Sequence, residues 1–338
     1  MNKLILIIPL FITTSLLAQD SFIEPIDTLN ISIDSDGIYA KLDANSEYLV
    51  YYNLITNSVQ TYSLSNFKQN SIKLIPGRGP NEYITISDLI IDENNLIYLV
   101  DVNGYKIIKI DTKGIYQDDI IQRNKSGIMS ILKNDTSKFV SVRSDLLLGS
   151  YYHKINLANE NTIQLIALNP IKYDLKKINH KNFFNFIGHA DVNDYHLVHA
   201  HTYSSKFTIY PLDTLRSLKV LDYDEYEEIK DNRYINKEST RALSLPPAQV
   251  DVLLEHMFIH PNNNTKVYIN AIGNTNNKSY SPDDVYEYDL IEQAFTGAYN
   301  LGYTPASICR YKDLLYILPK FDGSYTYTDT AIFVYKIK

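Results

Sequence analysis

The chain of 338 residues contains no tryptophan and one cysteine, Cys309. A single thiol excludes an intrachain disulfide framework, and its place near the end of the chain excludes a lipid anchor on an N-terminal cysteine. On a predicted inner strand, Cys309 reads as a small buried apolar residue rather than a reactive thiol. No Gly-x-Ser-x-Gly is present, so nucleophilic catalysis has no signature here. A cationic excess is also lacking: 32 Lys and Arg face 39 Asp and Glu, a formal net charge of −7. Nucleic acid and anionic lipid both need a basic footprint, so neither is expected as a partner. Without tryptophan, a carbohydrate platform would have to rest on the 29 tyrosines, most of which sit at strand positions that read as packing.

Long apolar runs are missing as well. The stretch Leu4 to Ile12 is too short to span a bilayer. With Lys3 ahead of it and Ser15 to Ala18 as a small-residue exit, residues 1–18 read as a signal peptide cleaved after Ala18. The remainder, 19–338, is expected to be periplasmic or secreted, soluble after cleavage, without a membrane span, not a lipoprotein, and a monomer. Loss of Lys3 leaves it slightly more acidic.

What is present is one strand pattern repeated six times. Second strands begin near Tyr48, Ile97, Phe139, Tyr195, Val267 and Leu315, each with a short β-branched and aromatic run. Third strands follow at Val59, Tyr105, Tyr152, Phe207, Val285 and Ile332, and an inner strand precedes each second strand. Propeller blades repeat at about 40–50 residues, and these spacings point to an all-β, six-bladed β-propeller in which 19–338 form a single domain. The last unit ends after its third strand at Lys338. The unassigned segment Ile26 to Ile33 is therefore expected to join the last blade and close the ring, which limits open strand edges.

Two intervals carry insertions. A rim insertion at about 221–256 holds the acidic, Tyr-rich run Asp222 to Tyr234, then Pro246 to His256, which reads as a short helix with prolines at its start. The polar run Ile272 to Asp284 reads as a long loop of the fifth unit. Tyr280 there, with Tyr325 and Tyr327 in the sixth unit, offers flat surfaces for a sugar or peptide.

One motif rises above the repeat: Gly77-Arg78-Gly79-Pro80-Asn81-Glu82-Tyr83, followed by Ile84 to Asp92, Asn95 to Asp101 and Lys106 to Gly114. Over these residues the chain resembles the six-bladed propellers exported by bacteria of the Bacteroides and Flavobacterium type. There a Gly-x-Gly-Pro-x-Glu-Tyr turn leads into an Ile-Tyr-Val-x-Asp blade, loosely related to NHL-repeat and TolB-like propellers. The resemblance implies an envelope or secreted binding protein. Three Asp-Thr-apolar triplets look like the O-glycan acceptor pattern of exported proteins of that group, which marks Thr28, Thr214 and Thr330 as modification candidates.

In the turn itself, Gly77 and Gly79 permit positive φ and Pro80 fixes the next dihedral, giving a sharp crossing between blades. Arg78 and Glu82 either brace that crossing or present Arg78 to a carboxylate or phosphate. Outer-to-inner crossings and the loops between second and third strands share one propeller face. On this chain that face gathers Arg78, Glu82, Asp101, Asn103, Arg143, Asp145, His201, Lys320 and Asp322 as candidate ligand-binding residues. His199 and His201 lie two apart on one strand and so point the same way, with His189 on the strand before, which makes the pair a candidate for part of a calcium or zinc site. No other cofactor is expected.

The reading is a binding propeller without catalysis, taking an envelope protein, a peptide or a small anionic ligand. The alternative is a divalent-metal-dependent hydrolase or lyase in the central channel, drawing on Glu82, Asp101, His199 and His201.

Overall fold

The computed structural model describes residues 22–31, 41–53, 56–121, 128–134, 140–146, 149–155, 163–168, 188–201, 206–211, 219–222, 252–263, 265–274, 279–292, 294–320 and 331–338. All regular structure among them is β-strand.

Six sheets of four or more strands follow in chain order. Blade 1 comprises Lys41–Ala44, Tyr48–Asn53, Ser58–Ser63 and Gln69–Lys73, and blade 2 Ile86–Ile91, Leu96–Asp101, Lys106–Asp111 and Tyr116–Ile121. Blade 3 comprises Ile128–Lys133, Val140–Leu146, Gly149–Ile155 and Ile163–Leu168; blade 4 comprises Gly188–Val192, His196–His201, Lys206–Pro211 and Lys219–Asp222. Blade 5 comprises Val252–Ile259, Lys266–Asn274, Asp284–Asp289 and Ala294–Asn300. Blade 6 comprises Pro305–Tyr311, Leu314–Pro319 and Ala331–Ile337, and its fourth strand is Ile23–Asn30 from the other end of the chain. That strand pairs antiparallel with Ala331–Ile337, from Ile23 opposite Ile337 to Asn30 opposite Ala331. Each inner strand touches the inner strand of the next blade, and that of blade 6 also touches that of blade 1.

The core lies between blades. Val50, Tyr52 and Val59 of blade 1 pack on Leu89, Ile91, Leu99 and Ile108 of blade 2. The other face of blade 1 packs through Leu42, Leu49 and Tyr51 on Cys309, Tyr316 and Val334 of blade 6, with Leu29 of the N-terminal strand. Tyr51, Tyr52, Tyr98, Tyr268 and Tyr288 are fully buried, so these tyrosines are packing residues. Burial pushes the Cys309 thiol well above its ordinary range, as befits an inert core group.

Register makes the six inner strands comparable. Leu49, Ile97, Val140, Leu197, Val267 and Leu315, near the starts of the second strands, pair with Ala44, Ile91, Lys133, Val192, Ile259 and Arg310. Two of these residues are cations. Lys133 ion-pairs with Asp43 at 2.9 Å and donates to the carbonyls of Ala44, at 2.6 Å, and Ile91. Arg310 binds Asp191 at 3.2 Å and donates to the Val192 carbonyl at 2.9 Å. Each aspartate also accepts the main-chain N–H of the blade between, Ile91 for Asp43 and Ile259 for Asp191, both at 2.8 Å.

Two expectations are corrected. Val252–His256 does not belong to a rim helix: it is the first part of the blade 5 inner strand, with Leu253 opposite Ile272 and His256 opposite Asn270. Residues 221 and 222 likewise belong to the outer strand of blade 4, so the insertion is narrower than 221–256. The loop at Ile272 to Asp284 is shorter than expected, because its second strand continues to Asn274 and Ser279–Tyr280 folds back on Gly273 and Asn274. Local composition favoured helix and loop there; cross-strand pairing prevails.

Candidate functional site

The crossing from blade 1 to blade 2 is built from its own side chains. Ile75–Pro76 and Glu82–Tyr83 form a short parallel pair, and the Gly77 N–H donates to the Tyr83 carbonyl at 2.8 Å. Between them Asn81 takes the left-handed conformation, φ 57°, which asparagine tolerates. Gly79 does not take the positive φ the sequence suggested. It is small for a different reason: its N–H donates to Glu82 Oε2 at 2.6 Å, and a Cβ there would sit 3.0 Å from the same oxygen. The Gly79 carbonyl accepts Lys106 Nζ at 2.8 Å, and Lys106 is held in turn by Asp119 at 2.8 Å.

Asp101 ends the second strand of blade 2 and is fully buried. Its carboxylate accepts three main-chain N–H groups, from Ile84 at 3.0 Å, Thr85 at 2.9 Å and Gly104 at 3.0 Å. Asn103 donates its amide to Thr85 Oγ1 at 2.8 Å. Burial, then the nearby Tyr83 and Asp101, push the Tyr52 phenol up, so it stays protonated beneath the turn. Glu82 and Asp101 therefore act as braces, joined by main-chain hydrogen bonds to the loop they support. Arg78 is the exception. It is exposed and, among the described residues, makes no hydrogen bond or ion pair; it does not pair with Glu82.

Residues 66–242, just over half of the chain, match the family model DUF5128, described as a 6-bladed beta-propeller. The chain belongs to that family. No curated protein matches this DUF5128 chain. Among solved structures it is similar to a DUF4221 family member from Bacteroides vulgatus, with TM-score 0.60 and 13% identity over 94% of this chain and 98% of that one. A protein from Bacteroides fragilis described as exported is similar at TM-score 0.59 and 14% identity, covering 95% and 96%. Virginiamycin B lyase from Staphylococcus aureus follows the same course at TM-score 0.52 and 11% identity, covering 94% and 100%. At such identities the likeness shows the fold alone.

The other candidates of the DUF5128 propeller fall as follows. Arg143 and Asp145 lie on the second strand of blade 3 and His201 ends that of blade 4, with side chains outside the described ones. Lys320 is exposed just after the second strand of blade 6. Asp322, Tyr325, Tyr327, Thr214 and Thr330 lie outside the described residues, as do residues 1–18, for which a signal peptide is expected. Thr28 is exposed on the N-terminal strand, its N–H donating to Asp27 Oδ1 at 2.7 Å. His199 is buried at 2% exposure, on the face of blade 4 that also carries Ala190 and Thr208. His189 lies on the opposite face, its ring 6.3 Å from that of His256 on blade 5. Among the described residues no three of His, Cys, Asp and Glu stand together in a way that would hold a metal ion.

The sequence reading missed His256 and Lys133. Both sit in short inner strands whose alignment depends on turn lengths that differ from blade to blade.

Proposed function

We propose that this DUF5128 chain is an exported binding protein of the bacterial envelope whose ligand or partner docks on the face of the blade 1 to blade 2 crossing. The observation that carries the reading is Arg78. The crossing is braced by Glu82, Asp101 and Lys106, while the arginine it displays is exposed and makes no hydrogen bond or ion pair among the described residues. An exposed guanidinium on a rigid turn is preorganised for a carboxylate or phosphate of a peptide, envelope protein or small anion. Export is supported by likeness to the Bacteroides fragilis protein. Among the described residues no helix is long and apolar enough to cross a membrane.

The metal-dependent hydrolase or lyase reading draws on likeness to virginiamycin B lyase. Its acidic candidates fit an ion poorly, since Asp101 already accepts three amides and Glu82 one. A thermal-shift screen of the purified mature chain against anionic peptides, sugar acids and phosphates tests the binding reading. Compounds that stabilise the natural chain and not Arg78→Ala are the expected result. Equal stabilisation of both proteins would contradict docking at Arg78, and no stabilisation by any compound would contradict the small-anion arm.

A further inference from the structure

Three residues before the inner-strand tier that holds Lys133 and Arg310, register brings six polar residues to one height: Lys41, Asp88, Ser130, His189, His256 and Ser307. Each pairs with the residue three beyond the equivalent second-strand position, so the tier is one ring rather than a chance resemblance of strands. The next residue along is apolar in all six blades, from Leu42 to Ile308. In four blades a register irregularity falls immediately before the tier, at Ser87, Met129, Glu255 and Ala306. Bulges re-aim side chains and gather next to binding sites. Inner strands begin on the crossing face, so the tier lies nearer that face than the tier of Lys133 and Arg310.

Two members of the tier meet directly. His189 and His256 bring their rings to 6.3 Å across the boundary of blades 4 and 5. Burial first, then the charge of Lys41, lower the His256 pKa to about 4, against a smaller opposite effect of a hydrogen bond to the Pro305 main chain. Ser307, 7% exposed, is the blade 6 member between them. Lys41 is exposed and, among the described residues, forms no ion pair. Asp88, on the next blade round, accepts the Ile131 N–H at 3.1 Å.

We propose that this tier is a binding site for a small solute bearing one carboxylate, held by the Lys41 ammonium with His189, His256 and Ser307 around it. A single ammonium beside His256, whose imidazole burial keeps neutral near pH 7, balances a monoanion, and Asp88 on the same ring disfavours a dianion such as phosphate. The site uses no atom of Arg78, so it stands or fails separately from the docking face.

The test is an NMR titration of the full mature chain with sodium acetate at constant total sodium, chloride making up the balance. Ring-proton signals of His189 and His256 should move and saturate at millimolar acetate, the range open to so small a ligand. Lys41→Met should weaken the response at least tenfold, while Lys41→Arg, which keeps the charge, should retain it; matching thermal melts of both variants exclude misfolding. Equal shifts with chloride alone, or an unchanged response in Lys41→Met, would overturn the site. Phosphate binding tenfold tighter than acetate would overturn the assignment to a monocarboxylate.

Discussion

Lys133 and Arg310 occupy the same register position three blades apart, and each reaches past one blade to an aspartate that is also equivalent, Asp43 or Asp191. With blade 2 between Lys133 and Asp43, and blade 5 between Arg310 and Asp191, the two contacts must pass on the axial side of the blade they cross. The two halves of the propeller are thus tied by the same device, each half joining three consecutive inner strands. Lys133 and Asp43 have side chains 6% and 10% exposed, so removing one partner strands a buried charge.

Lys133→Met should therefore destabilise the fold by about 3–5 kcal/mol, the usual cost of breaking a buried pair. The double variant Lys133→Met with Asp43→Asn should recover part of that loss. Denaturant unfolding of the four proteins of the cycle checks both statements; additive losses would deny the coupling.

Gly104→Ala should cost about 1–3 kcal/mol. A Cβ at this position would come 2.0 Å from Asp101 Oδ2, and Asp101 cannot retreat without losing three amides. Serial glycine-to-alanine variants read by urea unfolding give the comparison, with Gly302, whose Cβ would meet nothing within 4 Å, as a case governed by its φ of 76° alone.

Removing residues up to Asn30 should abolish cooperative unfolding or sharply lower the midpoint. Ile23 and Leu29 are buried in blade 6, and Ala331–Ile337 would be left as an open edge beside exposed apolar surface. Circular dichroism melts of the truncated chain, alone and with the missing strand supplied as a peptide, measure the effect; an unchanged melt would contradict the role assigned to this strand.

Stability should fall as pH drops from about 6.5 toward 4. Burial lowers the His256 pKa to about 4 from an unfolded value of 6.5, so across this window the unfolded chain binds more protons than the folded one. His260 is lowered too, chiefly by burial, and adds in the same direction. Asp43, raised by burial, acts oppositely as it protonates. Urea unfolding across this range should show a shallower pH slope in His256→Gln than in the natural chain.

Much of the architecture is legible in the sequence because second strands such as Leu96–Asp101 and Leu314–Pro319 are short apolar runs with little alternative to a buried strand. Inner strands are less legible. Val252–Ile259 follows two prolines and mixes Leu, Glu and His in a way that also suits a helix, and only its partner Lys266–Asn274 decides the matter. The turn Gly77 to Tyr83 announces itself, yet the sequence spacing of Arg78 and Glu82 suggests a pair that does not form: the carboxylate instead accepts the Gly79 amide three residues back. The polar ring of Lys41, His189 and His256 is invisible as a pattern, since turns of unequal length displace each member relative to the repeat.

The central claim is that the crossing is braced by Glu82 and displays Arg78 for binding. It is tested most directly by measuring unfolding free energy and ligand response together for Arg78→Ala and Glu82→Ala. The account predicts an Arg78→Ala protein as stable as the natural chain but unresponsive to the anionic ligand, and a Glu82→Ala protein weakened by about 1 kcal/mol through the stranded Gly79 amide. Loss of stability in Arg78→Ala with binding intact would contradict it.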